Sequence, residues 1–390
     1  MTKEEKLKIL SSVFSPTAPV EDESFFYGRL DQLRKLHNAI NERGQHAVLY
    51  GDRGVGKTSL ANIATKVYTD VIVSKITCNR TEDFKSLWSK AFRKITFTQS
   101  QAGLGFKAKD STTTVQLDLF LPNEESIDST HIESILEKLD NKLLFIFDEF
   151  DSIQNEETKV RMADTIKALS DNVPNVTILI VGIADSVIEL IGNHPSIERC
   201  LLQINMPRMS AVEVGEIVDN GMTRLELILD KKVRNKVVEY SAGFPSYAHL
   251  LCKYTSLNAI QQDKTTIEYP HFSHAVSTSI ENANQSLRDA YQKATISSKG
   301  ETQFVVVIYA CARAKSDEYN CFSSNEIVNE FNIQTGKKFK PQQLNYHINE
   351  LCKPERGEIL EKVGTPYKIK YKFKNPMMKA LVRLKFHDDR

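Results

Sequence analysis

The chain is short of cysteine and of uninterrupted apolar sequence, and each shortage excludes something. Its six cysteines, Cys78, Cys200, Cys252, Cys311, Cys321 and Cys352, form no C-x-x-C pair and no histidine-paired spacing. Neither a disulfide framework nor a zinc site is encoded, so reduced thiols are expected. The longest apolar runs, LLFIF at 143–147 and VTILIVGIA at 176–184, are too short to span a bilayer. The opening MTKEEKLKIL lacks the apolar core of a signal peptide, and a cytoplasmic protein without membrane contact is expected. An overall charge excess is also missing: the formal net charge is +1. The charge is unevenly spread, however. From residue 337 onward there are fourteen Lys/Arg against six Asp/Glu, about +8, which leaves about −7 for the remainder. One end is basic.

What is present is a loop. Residues 51–60 read GDRGVGKTSL and follow the apolar run HAVLY. The pattern G-x-x-x-x-G-K-T is met by Gly51, Asp52, Arg53, Gly54, Val55, Gly56, Lys57 and Thr58, with Ser59 next. Glycine lets the backbone turn its N–H groups onto an anion, lysine reaches the β- and γ-phosphates, and the threonine hydroxyl ligates magnesium. A strand signal precedes the loop. Leu60, Ile63, Ala64 and Val67 follow at one-sided helical spacing, so the loop opens a helix whose N-terminus favours phosphate. The other reading, a small-residue turn, leaves that context unexplained. A nucleoside triphosphate with Mg2+ is the expected ligand.

At 390 residues two or three domains are expected. Residues 1–24, interrupted by Pro16 and Pro19, read as a poorly packed lead-in. A helix stripe of Leu30, Leu33, Leu36 and Ile40 runs to Gly44. Strand signals then recur at 47–50, 71–77, 143–147 and 176–182, separated by helical patterns. Near-continuous apolar strands of this kind indicate a parallel sheet covered by helices on both faces, the α/β P-loop NTPase class. The pattern breaks at 99–129, where Val115, Leu117, Leu119 and Leu121 alternate, as in a loop or hairpin inserted into a sheet domain of 25–206. Residues 207–292 read as a helical lid, and 293–390 as three helices followed by a two-stranded ribbon. No repeat or low-complexity tract occurs.

The run LLFIFDEFD places Asp148 and Glu149 just past an apolar strand. A triphosphate site needs one carboxylate for the metal and one as base for water. Asp148 fits the first role and Glu149 the second. Without the loop upstream the same pair would read as a plain turn.

Taken together, FYGRLDQL, GDRGVGKTSL, FIFDEFD, VGIADS and HPSIERCLLQI resemble the AAA+ ATPases. The likeness is to initiator-type and related signalling members with a C-terminal winged helix. That resemblance implies ATP as the nucleotide, adenine contacts from Gly28 and Arg29, and homo-oligomers in which Arg199 touches a neighbour's γ-phosphate. Choice of adenine rests on the resemblance, since no N-K-x-D tetrapeptide is present. For Arg29 the alternative is a surface charge, and for Arg199 a salt-bridged surface residue. Two departures weigh on turnover. Asp185 stands where the family usually has asparagine, and an ionised carboxylate accepts hydrogen bonds but donates none. The lid reads GFPSYAHL, with Ser246 where initiators often have arginine, and its G-x-P form resembles regulatory STAND ATPases.

In the basic end, Ser323 and Glu326 form a capping-box pattern, and Pro341 opens a helix with Leu344, Ile348 and Leu351 as its buried stripe. The opposite face offers Gln342, Gln343, Asn345, Tyr346 and Asn349, amides suited to base edges in a major groove. In the ribbon, Tyr367, Ile369, Tyr371 and Phe373 alternate with Lys368, Lys370, Lys372 and Lys374, a comb suited to a phosphate backbone. DNA is the expected partner. The alternative is a protein partner, with the lysines guarding a strand edge.

Overall fold

The computed structural model describes residues 1–19, 27–68, 70–101, 111–124, 126–183, 197, 199–282, 285–296, 303–317, 320–365, 368–375 and 377–388. They divide into two compact units. One comprises Met1–Ala18, Arg53–Val55 and Pro207–Arg390, the other Pro19–Asp52 and Gly56–Met206.

The N-terminal segment differs from its reading as a loose lead-in. Lys3–Val13 form helix α1, opened by a reciprocal capping box between Thr2 and Glu5. Its short apolar stripe, Leu10 and Val13 with Phe14 beyond, is buried. The ring of Phe14 lies 2.3 Å from where a Cβ on Gly221 would stand, so only glycine admits it. The two prolines follow the helix rather than interrupt it.

In the second unit, β1 (His46–Gly51), β2 (Ile72–Thr77), β5 (Leu143–Asp148), β6 (Val176–Ile183) and β7 (Leu201–Asn205) form one sheet in the order β2-β5-β6-β1-β7. Every pairing in it is parallel. All six residues of β5 are buried, as a strand covered on both faces requires. Helices α2 (Leu30–Asn41), α3 (Lys57–Val67), α4 (Phe84–Arg93), α5 (Ser129–Leu136) and α6 (Glu156–Asn172) belong to this unit. Helix α4 shows why they pack. Asp83 accepts the Ser86 N–H at its start. Phe84, Leu87, Trp88, Ala91 and Phe92 then present one buried face, and Trp88 meets Phe145 and Phe147 edge-on at 5.2 and 5.3 Å. The four strands expected from sequence are present. The fifth, β7, lies at a sheet edge with only Leu201 and Ile204 buried, and has too little apolar sequence to announce itself. The insertion is an antiparallel hairpin of β3 (Thr96–Gln101) and β4 (Ser111–Gln116). Its alternating leucines do not extend the strand, because Leu117–Phe120 turn as a 3-10 helix with Leu117 buried and Leu119 exposed.

The first unit continues through α7 (Ala211–Arg224), α8 (Lys231–Ser241), α9 (Pro245–Gln261), α10 (Tyr269–Glu281) and α11 (Gln285–Thr295), with a short parallel pairing of β8 (Ile228–Leu229) and β9 (Thr266–Ile267). Next come α12 (Gln303–Arg313), α13 (Ser324–Thr335), α14 (Pro341–Glu350), the antiparallel ribbon β10 (Leu360–Thr365) with β11 (Lys368–Phe373), and α15 (Met378–Asp388), a helix not expected from sequence. The capping box of Ser323 and Glu326 is formed. Phe322 and Tyr371 exchange backbone hydrogen bonds at 2.9 and 2.8 Å, adding a third edge to the ribbon. Among the described residues no helix is long and apolar enough to cross a membrane.

His46 fixes the sheet in a way sensitive to pH. Its Nδ1 accepts the Ile178 N–H at 2.9 Å, supplying a partner for the start of β6. The ring is fully buried, and that burial lowers its pKa to about 4. Folded, it stays neutral. Below its ordinary value near 6.5 the unfolded chain takes up a proton that the folded chain refuses, so stability falls between pH 6.5 and 4 by up to about 3 kcal/mol. His249, buried in the other unit, has its pKa lowered to about 4 in the same way. Thermal melts at pH 7 and pH 5 are therefore expected to show acid destabilisation, with a smaller drop in His46→Asn, whose Oδ1 can accept the same N–H.

Candidate functional site

The parallel register puts the ends of β1, β5 and β6 side by side: Gly51 pairs with Ile183 of β6, and Thr77 of β2 pairs with Asp148 of β5. Loops at the carboxyl ends of such strands form the usual binding crevice. Gly51 has φ 144°, and a Cβ there would lie 2.5 Å from the Met206 carbonyl oxygen. Gly56 has φ 97° and caps α3 without a side-chain hydrogen bond. Having no side chain, Gly56 leaves room for a ligand at the helix N-terminus, a place that favours an anion. Lys57, 8% exposed, donates to the Gly51 and Asp52 carbonyl oxygens at 2.8 Å each. Those two bonds hold its ammonium against the loop it would serve.

Asp148 is only 2% exposed. Its Oδ1 accepts from the Thr58 hydroxyl at 3.4 Å and from the Glu149 N–H at 3.0 Å. Its Oδ2 lies 3.0 Å from the Lys75 ammonium. Thr58 and Asp148, ninety positions apart, therefore converge, and a hydroxyl and a carboxylate are the hard oxygens that Mg2+ takes. The donor set fits that metal. Glu149 is exposed and has φ 56°, a left-handed conformation unfavourable for glutamate and frequent at functional sites. Asp151 accepts the Ile183 N–H at 2.8 Å and ties the turn after β5 to the end of β6. Cys78, at the end of β2, is buried, and that burial, with the Glu82 and Asp148 carboxylates nearby, pushes its thiol pKa up. It is held as the thiol rather than as a nucleophilic thiolate.

Gly28 and Arg29 are buried, and Arg29, 2% exposed with φ 62°, precedes α2. A surface charge is thereby excluded for Arg29. Arg199 is 71% exposed and pairs with Asp171 at 2.6 Å. Asp185 lies outside the described residues. Lys75 was missed. Its signal was a single lysine inside an apolar strand, two residues before Thr77 and so on the same face of β2.

On α14, Gln342, Gln343, Asn345 and Tyr346 are exposed, although Gln343 is also used as a cap, accepting the Lys340 N–H at 2.7 Å. The lysine comb needs correction. Tyr371 and Phe373 are buried but Ile369 is 41% exposed. Lys370, Lys372 and Lys374 pair with Asp317, Glu361 and Glu358 at 2.8, 3.2 and 2.5 Å. Lys368 is exposed, and Tyr367 lies outside the described residues.

Residues 26–181 match the family model described as AAA ATPase domain. That stretch of the chain is similar to AAA ATPase domains. No curated protein matches the sequence. Among solved structures, the chain is similar to the Walker-type ATPase PABY2304 of Pyrococcus abyssi, with 15% identity and a TM-score of 0.55 over 95% of this chain and 99% of that one. It is also similar to the ORC2 protein of Aeropyrum pernix, solved as ADPNP–ADP complexes, with 13% identity and a TM-score of 0.50 over 97% and 98%. At these identities the likeness is one of fold. The P-loop, the carboxylates and most of the sheet fall inside the matched AAA ATPase domain.

Replacing Lys57 with alanine removes the cation held on the loop while leaving the sheet intact. Calorimetric titration is expected to show nucleotide affinity at least about tenfold weaker in Lys57→Ala, with the melting temperature little changed.

Proposed function

We propose that this protein is an initiator-like ATP-dependent switch that hydrolyses ATP, assembles through its nucleotide sites and binds DNA with a C-terminal winged helix. The observation that carries the reading is the convergence of Thr58 on buried Asp148 at the glycine-capped start of α3. In this reading Lys57 leaves the Gly51 and Asp52 carbonyls for the β- and γ-phosphates, and Thr58 and Asp148 hold magnesium. Magnesium, when bound, neutralises charge on the phosphate oxygens. Glu149 accepts the proton of a water that attacks the γ-phosphorus. The bond to the β-phosphate oxygen breaks, giving ADP and phosphate. Catalysis is then positioning and charge stabilisation. Gly28 and Arg29 lie beside the adenine, Arg199 exchanges Asp171 for a neighbour's phosphate, and Asp185 orients water. A Glu149→Gln variant is expected to bind ATP as the parent does while turnover drops at least about a hundredfold. Equal phosphate release by the two proteins would remove Glu149 from the chemistry.

Support for DNA contact comes from the exposed Gln342, Asn345 and Tyr346 and from exposed Lys337, Lys338 and Lys340 ahead of α14. The internal ion pairs of the ribbon lysines favour a second reading, in which the module grips a protein and the nucleotide sets conformation, as in STAND-type signalling. Salt separates the two. If DNA is bound, log affinity falls with log salt by about 0.9 per phosphate contacted, and Lys337→Ala with Lys338→Ala flattens that slope by about two. A slope near zero in fluorescence anisotropy would leave the protein-partner reading.

A further inference from the structure

The Lys75 ammonium sits where a cation is wanted. Asp148 uses its two oxygens for different partners: Oδ1 takes the Thr58 hydroxyl and the Glu149 N–H, while Oδ2 takes Lys75 at 3.0 Å. Both ends of the ion pair are sheltered, Asp148 at 3% and Lys75 at 18% side-chain exposure, so solvent screens it weakly. Asn62 on α3 also accepts from the Lys75 ammonium, which ties the lysine to the helix that begins at the phosphate loop. Burying a carboxylate this deep is costly unless its oxygens are paired.

This inference rests on the reading of Asp148 as a metal-holding residue. Two cations then compete for one carboxylate. A divalent ion beside Asp148 repels an ammonium a few ångströms away and weakens its hold. The lysine has somewhere to go. Next to it opens a polar cavity of about 310 Å³ lined by Asn62, Thr65, Lys66, Lys75, Thr77 and Lys94. Hydroxyl, amide and water contacts there can solvate an ammonium on a flexible four-carbon stem. Lys66 and Lys94 add like charge, so the withdrawn position is the less comfortable one and the lysine returns when the metal leaves.

We propose that Lys75 is a displaceable counter-ion for Asp148, a positioning residue that neutralises the carboxylate in the nucleotide-free protein and yields it to the metal. It contacts neither the phosphates nor the attacking water in this scheme. Its effect is to set the magnesium concentration at which nucleotide binding becomes metal-dependent.

The test uses the full chain. Binding of ATP to the parent, Lys75→Gln, Lys75→Met and Lys75→Arg is measured by calorimetry across a magnesium series and in EDTA, with melting temperatures recorded in parallel. Lys75→Gln is expected to shift the magnesium midpoint about tenfold lower, and Lys75→Arg to stay near the parent. Affinity in EDTA stays within about twofold, because the ion pair does not touch the phosphate loop. Lys75→Met lowers the melting temperature without metal and regains part of it with magnesium and nucleotide. If Lys75→Met does not fold, Lys75→Gln, which keeps a hydrogen-bond donor, carries the test. An unchanged or higher midpoint in Lys75→Gln would overturn the proposal and make the lysine a permanent support for Asp148. A parent that binds ATP equally with magnesium and with EDTA would instead overturn the metal-holding reading of Asp148, and this inference with it.

Discussion

A carboxylate buried at the end of an all-apolar strand is the constraint on which the sheet unit turns. Burying Asp148 is unfavourable unless its oxygens are fully engaged, and the fold engages them from three directions: the phosphate-loop helix through Thr58, the following turn through the Glu149 N–H, and the neighbouring strand through Lys75. Each partner requires a specific register. Thr77 must pair with Asp148 for Lys75 to share its face, and β1 must stand one strand away, across β6, for α3 to bring Thr58 in. The parallel order of the sheet and the chemistry at its edge are thus one requirement.

Much of this was legible in the sequence because it is local. A glycine-rich loop between a strand and a helix is written in consecutive residues, as is an apolar strand ending in two acids. What escaped is non-local or weakly patterned. Lys75 has no meaning until β2 is laid beside β5. Strand β7 is a five-residue edge broken by Gln203 and ending in Asn205, so it lacks the continuous apolar run that marked the central strands. Helix α1 carries a narrow apolar stripe among charged residues, and its docking through Phe14 depends on a glycine more than two hundred positions away.

The ribbon shows the same limit from the opposite side. Four alternating lysines read as a phosphate-binding comb, yet the acids that answer three of them come from other segments: Asp317 before α13, Glu358 before β10 and Glu361 on the facing strand. A charge count along the chain registers the excess of lysine but not its pairing. The amide face of α14 fared better, because helical periodicity alone separates Leu344 and Ile348 from the exposed positions between them.

The central claim is that the buried carboxylate and the loop threonine hold one metal ion beside a bound triphosphate. The most direct measurement is the anomalous scattering of Mn2+ in crystals grown with a non-hydrolysable ATP analogue. The account predicts a single peak flanked by the Thr58 hydroxyl and Asp148. A bound analogue with its manganese elsewhere, or with none at all, would contradict it.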